Sequence, residues 1–334
     1  MFGSINNMLT NKKLKTTIDE MDYLKKYYNK HCSVGKKKFS KEYDKCLRSE
    51  TRNVFRMINQ DVDKAAEIIE IKQVNGRPLK DRIILTKLHL IQRLFDLTNR
   101  QMESFIDILI FANTEVFSYK TIERAFDDPI VRMIIHNLFV LSSGEPRDID
   151  SSADGTGISL TISKHYKTDR LKDLANKSET SKRKEYLFSV MIIDLDTNLY
   201  IGYAVGFKSE KQLFLEAKKM LFDNGFFIKS IRLDKYYSHQ SIVSEFDKNT
   251  KIYLIPKKNA TIKGSFEWKK MLKKFVDNTL EYLAEYFKRE KSESANSKDK
   301  KRCSLIRQRL STRIMGAAQT NLVLHNLSTI ALYL

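Results

Sequence analysis

Between Asp148 and Ile255 the apolar residues change their spacing several times, and the order of those changes constrains the fold more than any other feature of the chain. Gly155-Thr156-Gly157-Ile158-Ser159-Leu160-Thr161-Ile162 alternates as a strand does. A basic, serine-containing segment at about 165–183 reads as an exposed loop. Tyr186 to Asp194 and Leu199 to Phe207 are two β-rich runs split by Asp196-Thr197-Asn198, a hairpin signal. Ser209 can cap a helix that runs through Phe222 and stops at Asn224-Gly225. Phe227 to Leu233 is the next strand and ends on Asp234. A helix over about 238–247 and a strand from Lys251 to Ile255, stopped by Pro256, complete the series. Three strands with a hairpin, then helix, strand, helix, strand and helix, is the order of a mixed sheet with helices on its faces.

Upstream of Asp148 the texture is helical. Residues 1–75 are lysine-rich with short apolar clusters (Met21 to Tyr28, Val54 to Ile58), which read as short helices joined by the basic loop Lys36-Lys37-Lys38. Leu79 to Leu94 and Met102 to Phe111 show helical spacing, with Thr98 as N-cap of the second. Ser118 opens a short helix through Phe126, and Asp127-Asp128-Pro129 closes it and starts another. This order, at about 98–127, fits a helix-turn-helix offering Tyr119, Lys120 and Arg124 to DNA. It fits an ordinary helical bundle equally well.

Four residues near the carboxy terminus share a face. At about 100° per residue, Tyr286, Arg289, Glu293 and Lys300 fall at roughly 0°, 300°, 340° and 320°, one stripe about 60° wide. A lone acid beside two cations and a tyrosine suits a metal-binding carboxylate next to a phosphate backbone. The arginine can pair with phosphate in a bidentate way, the lysine is a point charge, and the tyrosine can donate or stack. The plain alternative is a lysine-rich solvated helix. Partner acids decide between them, and Asp154 and Asp234 stand on or after strands where such partners are needed. Cleavage and transfer of a phosphodiester can be run by two divalent cations about 3.5–4 Å apart, and magnesium takes hard carboxylate oxygens. Asp154 would bridge both ions, with Asp234 on one and Glu293 on the other, while Gly155 and Gly157 permit close backbone approach. Asp148 and Asp150 compete with Asp154, Asp234 can serve merely as a helix cap, and Glu290 competes with Glu293.

A net charge of +19 suits a polyanionic partner, most often nucleic acid and less often an anionic membrane, although no amphipathic anchor is evident. Cys32, Cys46 and Cys303 lack zinc-ligand spacing and read as free thiols of a reducing cytosol. The amino terminus shows no signal-peptide run. Asn321 to Leu334 is too short to span a bilayer and reads as a packed final helix.

The order of elements and acids resembles the ribonuclease-H-like layout, in which carboxylates project from the first strand, from the strand after the first helix and from a late helix. More closely, the chain resembles DDE transposases of prokaryotic insertion sequences, in the class with a Tyr-x2-Arg-x3-Glu-x6-Lys signature. Tyr286, Arg289, Glu293 and Lys300 match it at every spacing. Asp154-Gly155-Thr156-Gly157 resembles the first-aspartate motif and Asp234-Lys235-Tyr236-Tyr237 the second, where an aromatic follows closely. Ala317-Ala318-Gln319 and Leu324-His325-Asn326-Leu327 resemble the closing helices, so the likeness covers about 145–334.

The resemblance implies a helical, basic, DNA-binding region over 1–145 and a catalytic domain over 146–334. It implies metal-dependent cleavage and strand transfer at element ends with two Mg²⁺ or Mn²⁺ ions and catalytic Asp154, Asp234 and Glu293. The partners would be double-stranded DNA (terminal inverted repeats and target) and a second copy of the chain, with no membrane, in the cytoplasm of a prokaryote, at the nucleoid. Tyr286, Arg289, Lys300 and Tyr237 would lie along the DNA. Lys257 and Lys258 offer phosphate contacts or a solvated pair, and Trp268 offers base stacking or core packing. About 36 residues separate Pro256 from Glu293, so the β-rich insertion carried there by some members is absent. A nuclease or resolvase of the same fold, or a non-catalytic DNA-binding regulator, are the alternatives.

Overall fold

The computed structural model describes residues 9–31, 41–70, 80–106, 108–109, 117–159, 186–302 and 306–334. The Lys36–Lys38 loop, the basic segment at 165–183 and, within the expected helix-turn-helix, residues 107 and 110–116 lie outside the described residues. Among the described residues, seven helices precede the sheet: α1 (Asn11–Asp19), α2 (Met21–His31), α3 (Lys41–Glu67), α4 (Arg82–Leu94), α5 (Asn99–Ile106), α6 (Tyr119–Ala125) and α7 (Pro129–Ser142). Local chemistry sets several starts. Ser118 and Asp128 cap α6 and α7 through their side chains, and Thr98 and Gln101 exchange hydrogen bonds ahead of α5. Short helices were expected where α3 is a single helix of 27 residues. No glycine or proline interrupts it, and its buried residues Val54, Ile58, Val62 and Ala65 recur at turn spacing along one face.

The sheet holds β1 (Asp148–Ser159), β2 (Tyr186–Asp194), β3 (Tyr200–Gly206), β4 (Phe227–Leu233) and β5 (Lys251–Tyr253), in the order β3-β2-β1-β4-β5. β1 pairs antiparallel with β2, and β2 with β3, across the hairpin. β4 lies parallel to β1 and β5 parallel to β4, since helical crossovers return the chain in the same direction. This is the mixed, ribonuclease-H-like α/β architecture, preceded by helices. β1 starts at Asp148, earlier than its alternation suggested. Its first half is Asp-Ile-Asp-Ser-Ser-Ala, and Ser151 and Ser152 are buried with hydroxyls bonded to β4 carbonyls. Hydropathy does not mark such a strand.

Helix α8 (Glu210–Asp223), opened by a capping box at Ser209 and Gln212, covers one face of the sheet. The next expected helix is shorter than predicted: a 3₁₀ turn over Lys235–Tyr237 and α9 (Gln240–Val243). Then come α10 (Phe266–Asp277), α11 (Thr279–Phe287), α12 (Glu290–Arg302) and α13 (Ser311–Ala331). One core joins α8, α10 and α11 with α1 and α2 on the same side. A second joins α3, α4 and α7 with α13 and with Met191, Ile193 and Tyr200 of the sheet, and a smaller third joins Phe126, Leu187 and Ile306 with the start of α13. Gly316 of α13 lies so close to α6 that a Cβ there would come within 2.1 Å of the Phe126 carbonyl oxygen. Asn326 of α13 finishes the β3 edge: its carboxamide accepts from the Tyr200 N–H at 2.8 Å and donates to the Tyr200 carbonyl at 2.8 Å. Among the described residues no helix is long and apolar enough to cross a membrane.

Candidate active site

Strand register brings the first two acids together. Ala153 of β1 is paired with Leu233 of β4, so Asp154 and Asp234 are neighbours where the two parallel strands part. Side chains alternate along a strand, so Asp154 shares the face of Ser152. That face meets α12. The Ser152 and Ser292 hydroxyls are 3.0 Å apart, and the Asn296 amide donates to Asp154 Oδ2 at 2.6 Å. Glu293 lies between these two anchors on the same helix, half-exposed. Asp234 also accepts from the Lys235 N–H at 2.6 Å, so its capping role is real and coexists with its place beside Asp154.

The four-residue stripe is not one continuous helix. Tyr286 belongs to α11, Arg289 sits in the turn Lys288-Arg289, and Glu293 and Lys300 belong to α12. The break turns the Arg289 side chain inward. Its guanidinium lies 3.6 Å from Asp154 Oδ1 and 3.8 Å from Asp234 Oδ1, and it bonds Glu293 directly. Three carboxylates from β1, the end of β4 and α12 therefore surround one cation. Among the described residues no three of His, Cys, Asp and Glu are drawn together tightly enough to ligate one ion as they stand. The acids are held apart on the guanidinium, which occupies the position of a positive charge among hard oxygen donors, the donor type that Mg²⁺ and Mn²⁺ take. Burial raises the pKa of Asp154. Glu293 and Asp234 push in the same direction, while the Asn296 hydrogen bond and Arg289 oppose them.

No protein-family model matches the chain. It is 38% identical over 269 residues, 80% of each chain, to a probable transposase for the insertion sequence element ISA1214 of Archaeoglobus fulgidus. The chain belongs to the insertion-sequence transposases.

Other residues of this transposase singled out by sequence are placed differently from the acids. Tyr286 is only 6% exposed and lies under the Arg289 guanidinium. Tyr237 is 2% exposed, with its hydroxyl donating to Glu210 at 2.8 Å. Trp268 is 4% exposed, and its indole N–H donates to the Thr261 carbonyl at 2.8 Å. These three rings pack and bond within the protein, so Trp268 takes the core-packing alternative. Arg289 is largely buried among acids instead of facing outward. Lys257 reaches the Tyr236 carbonyl at 3.2 Å, and Lys258 is exposed beside it. Lys300 is exposed at the rim of a cavity of about 300 Å³ that Asn296, Thr156 and Met191 also line. Lys120 and Arg124 are exposed on α6, away from the acids, with Lys120 paired to Glu123 at 3.0 Å. Of the competing acids, Asp148 stands exposed at the start of β1, Asp150 bonds Ser230 and faces Arg232, and Glu290 is exposed at the first turn of α12.

Sequence reasoning missed Asn296 and the groups behind it. The Tyr200 hydroxyl is 3.4 Å from Asn296 Oδ1 and donates to Asp299 Oδ2 at 2.7 Å, and Asp299 pairs with His325 at 2.8 Å. The available signal was spacing: Glu293, Asn296 and Asp299 recur every three residues, so they lie near one another on a helix.

Proposed function

We propose that this transposase belongs to the class with the Tyr-x2-Arg-x3-Glu-x6-Lys signature and that it cuts and joins DNA at the ends of its element, with Asp154, Asp234 and Glu293 holding divalent cations. The observation that supports this reading is the meeting of three carboxylates, from two parallel strands and one late helix, around the single guanidinium of Arg289. Two Mg²⁺ or Mn²⁺ ions bound there would activate the attacking oxygen and neutralise charge on the phosphoryl group in flight. Asp154, at the shared corner of β1 and β4, is the acid suited to contact both. Arg289 then becomes the guanidinium available to a phosphate beside the acids, with exposed Lys300 and Lys258 as further cationic contacts for the strand.

In this reading water attacks the phosphorus at the element end and the 3′ oxygen leaves. The freed 3′-hydroxyl next attacks a phosphodiester of the target, which is thereby joined as its own 3′ oxygen departs. The amino-terminal region, residues 1–145, supplies DNA binding, and two copies of the chain hold the two ends of the element together.

The test uses the full-length protein and DNA carrying the inverted repeats that flank its reading frame. Cleavage and joining should require Mg²⁺ or Mn²⁺. Asp154→Ala, Asp234→Ala and Glu293→Ala should each lower the rate by at least about a hundredfold, while gel-shift binding of the same DNA survives. Binding without any cutting in either metal overturns the enzyme reading. Cutting without joining would instead mark a nuclease.

A further inference from the structure

We propose that Asn296 is a positioning residue for Asp154. The inference rests on the reading of Asp154 as a cation-binding acid.

A carboxylate on a two-torsion side chain can present its lone pairs in many directions. Here Asp154 Oδ2 is taken by the Asn296 N–H at 2.6 Å, and Oδ1 is left facing Arg289 and the other acids. A carboxamide has unlike ends, so it does this only if its flip is fixed. Asp154 itself fixes it, because a carboxylate only accepts and so takes the NH₂ end. Behind Asn296, the Tyr200 hydroxyl gives its one proton to Asp299 Oδ2 at 2.7 Å. Asp299 Oδ1 is bonded by His325 Nδ1 at 2.8 Å, and His325 Nε2 lies 3.1 Å from the Asn198 carbonyl in the β2–β3 turn. The imidazole also stacks on the Tyr200 ring, with centroids 3.9 Å apart. Asn296, Tyr200 and His325 are all buried.

The contact is more than a means of docking α12. That helix is already fastened by Ser292 to Ser152 and by Lys291 to the Leu195 carbonyl. The Asn296 link is the one that ends on an acid of the site. Partners that orient a metal-binding carboxylate usually change metal affinity or activity by about 10–100-fold when removed.

The experiment measures Mn²⁺ binding to the full-length protein by titration calorimetry, alongside DNA cleavage, DNA affinity and thermal unfolding. Asn296→Leu keeps the size of the side chain and deletes its donor. It should weaken Mn²⁺ binding by about tenfold or more and lower kcat with little change in KM, at unaltered Tm and DNA affinity. Asn296→His, whose Nδ1–H can replace the amide N–H, should recover part of the loss. Wild-type Mn²⁺ affinity in Asn296→Leu overturns the inference, as does a loss that follows a fall in Tm and is not recovered by Asn296→His. Asp154→Asn separates the two levels: if it binds Mn²⁺ as the wild type does, the proposed function has failed at Asp154. If it loses Mn²⁺ while Asn296→Leu does not, only the positioning role has failed.

Discussion

Asp154 is costly to keep charged in the metal-free protein. Burial and two neighbouring acids raise its pKa above the usual carboxylate value, and Arg289 and Asn296 offset this only in part. Because the folded state binds the proton more tightly than the unfolded state, the stability gained from protonation is complete at low pH. It is lost as pH rises through the raised pKa. Asp154→Asn should therefore unfold at a higher temperature than the wild type at neutral pH in EDTA. The gap should shrink as pH falls towards the ordinary carboxylate range, as calorimetry across pH can measure. A variant less stable at neutral pH would mean that Arg289 outweighs burial. Asp234 and Glu293 stood out in the sequence, one at the end of a strand and one in a spaced motif, and Asp154 stood out by the Gly155-Thr156-Gly157 run after it although it lies inside β1. Asn296 was not legible there, because its role arises from a contact between residues far apart in the chain.

Elements with strong local signals were read correctly from sequence. The α6, α7 and α8 starts carry their own side-chain caps, and the β2–β3 hairpin carries Asn198 at φ 60°. The break before α12 had no such signal, since no glycine or proline marks Lys288-Arg289. α12 itself is almost wholly polar, with Ala295 as its buried apolar residue among the hydrophobic types. Hydrogen bonds to the sheet hold it in place of an apolar stripe. α13 has the opposite character and is packed on nearly every side. At Gly316 its backbone meets the Phe126 carbonyl, and a methyl group there forces two backbones apart. Gly316→Ala should lower stability by about 1–3 kcal/mol, read as a shift in the urea midpoint with the slope unchanged. An unaffected midpoint would show that α6 yields freely.

At the scale of the molecule, the change of texture at Asp148 was plain in the sequence, but the partnership between the ends of the chain was not. Leu322, Val323 and Leu327 of α13 share a core with Val54 and Ile58 of α3 and with Ile135 and Leu138 of α7. The Asn53 amide donates to the Ala331 carbonyl at 3.2 Å. A fragment lacking residues 1–145 would expose that apolar face, so it should aggregate or bind a hydrophobic dye, while the full chain does neither. A monodisperse fragment with native circular dichroism would contradict the shared core.

The Asn326 carboxamide at Tyr200 has a further consequence. By meeting both the N–H and the C=O of one residue, it occupies the β3 edge much as a peptide group of a sixth strand would. At the opposite edge, β5 contributes only three residues. The first residue of the β3 edge is thus closed to a strand from another copy, and β5 offers only a short ladder on the other side.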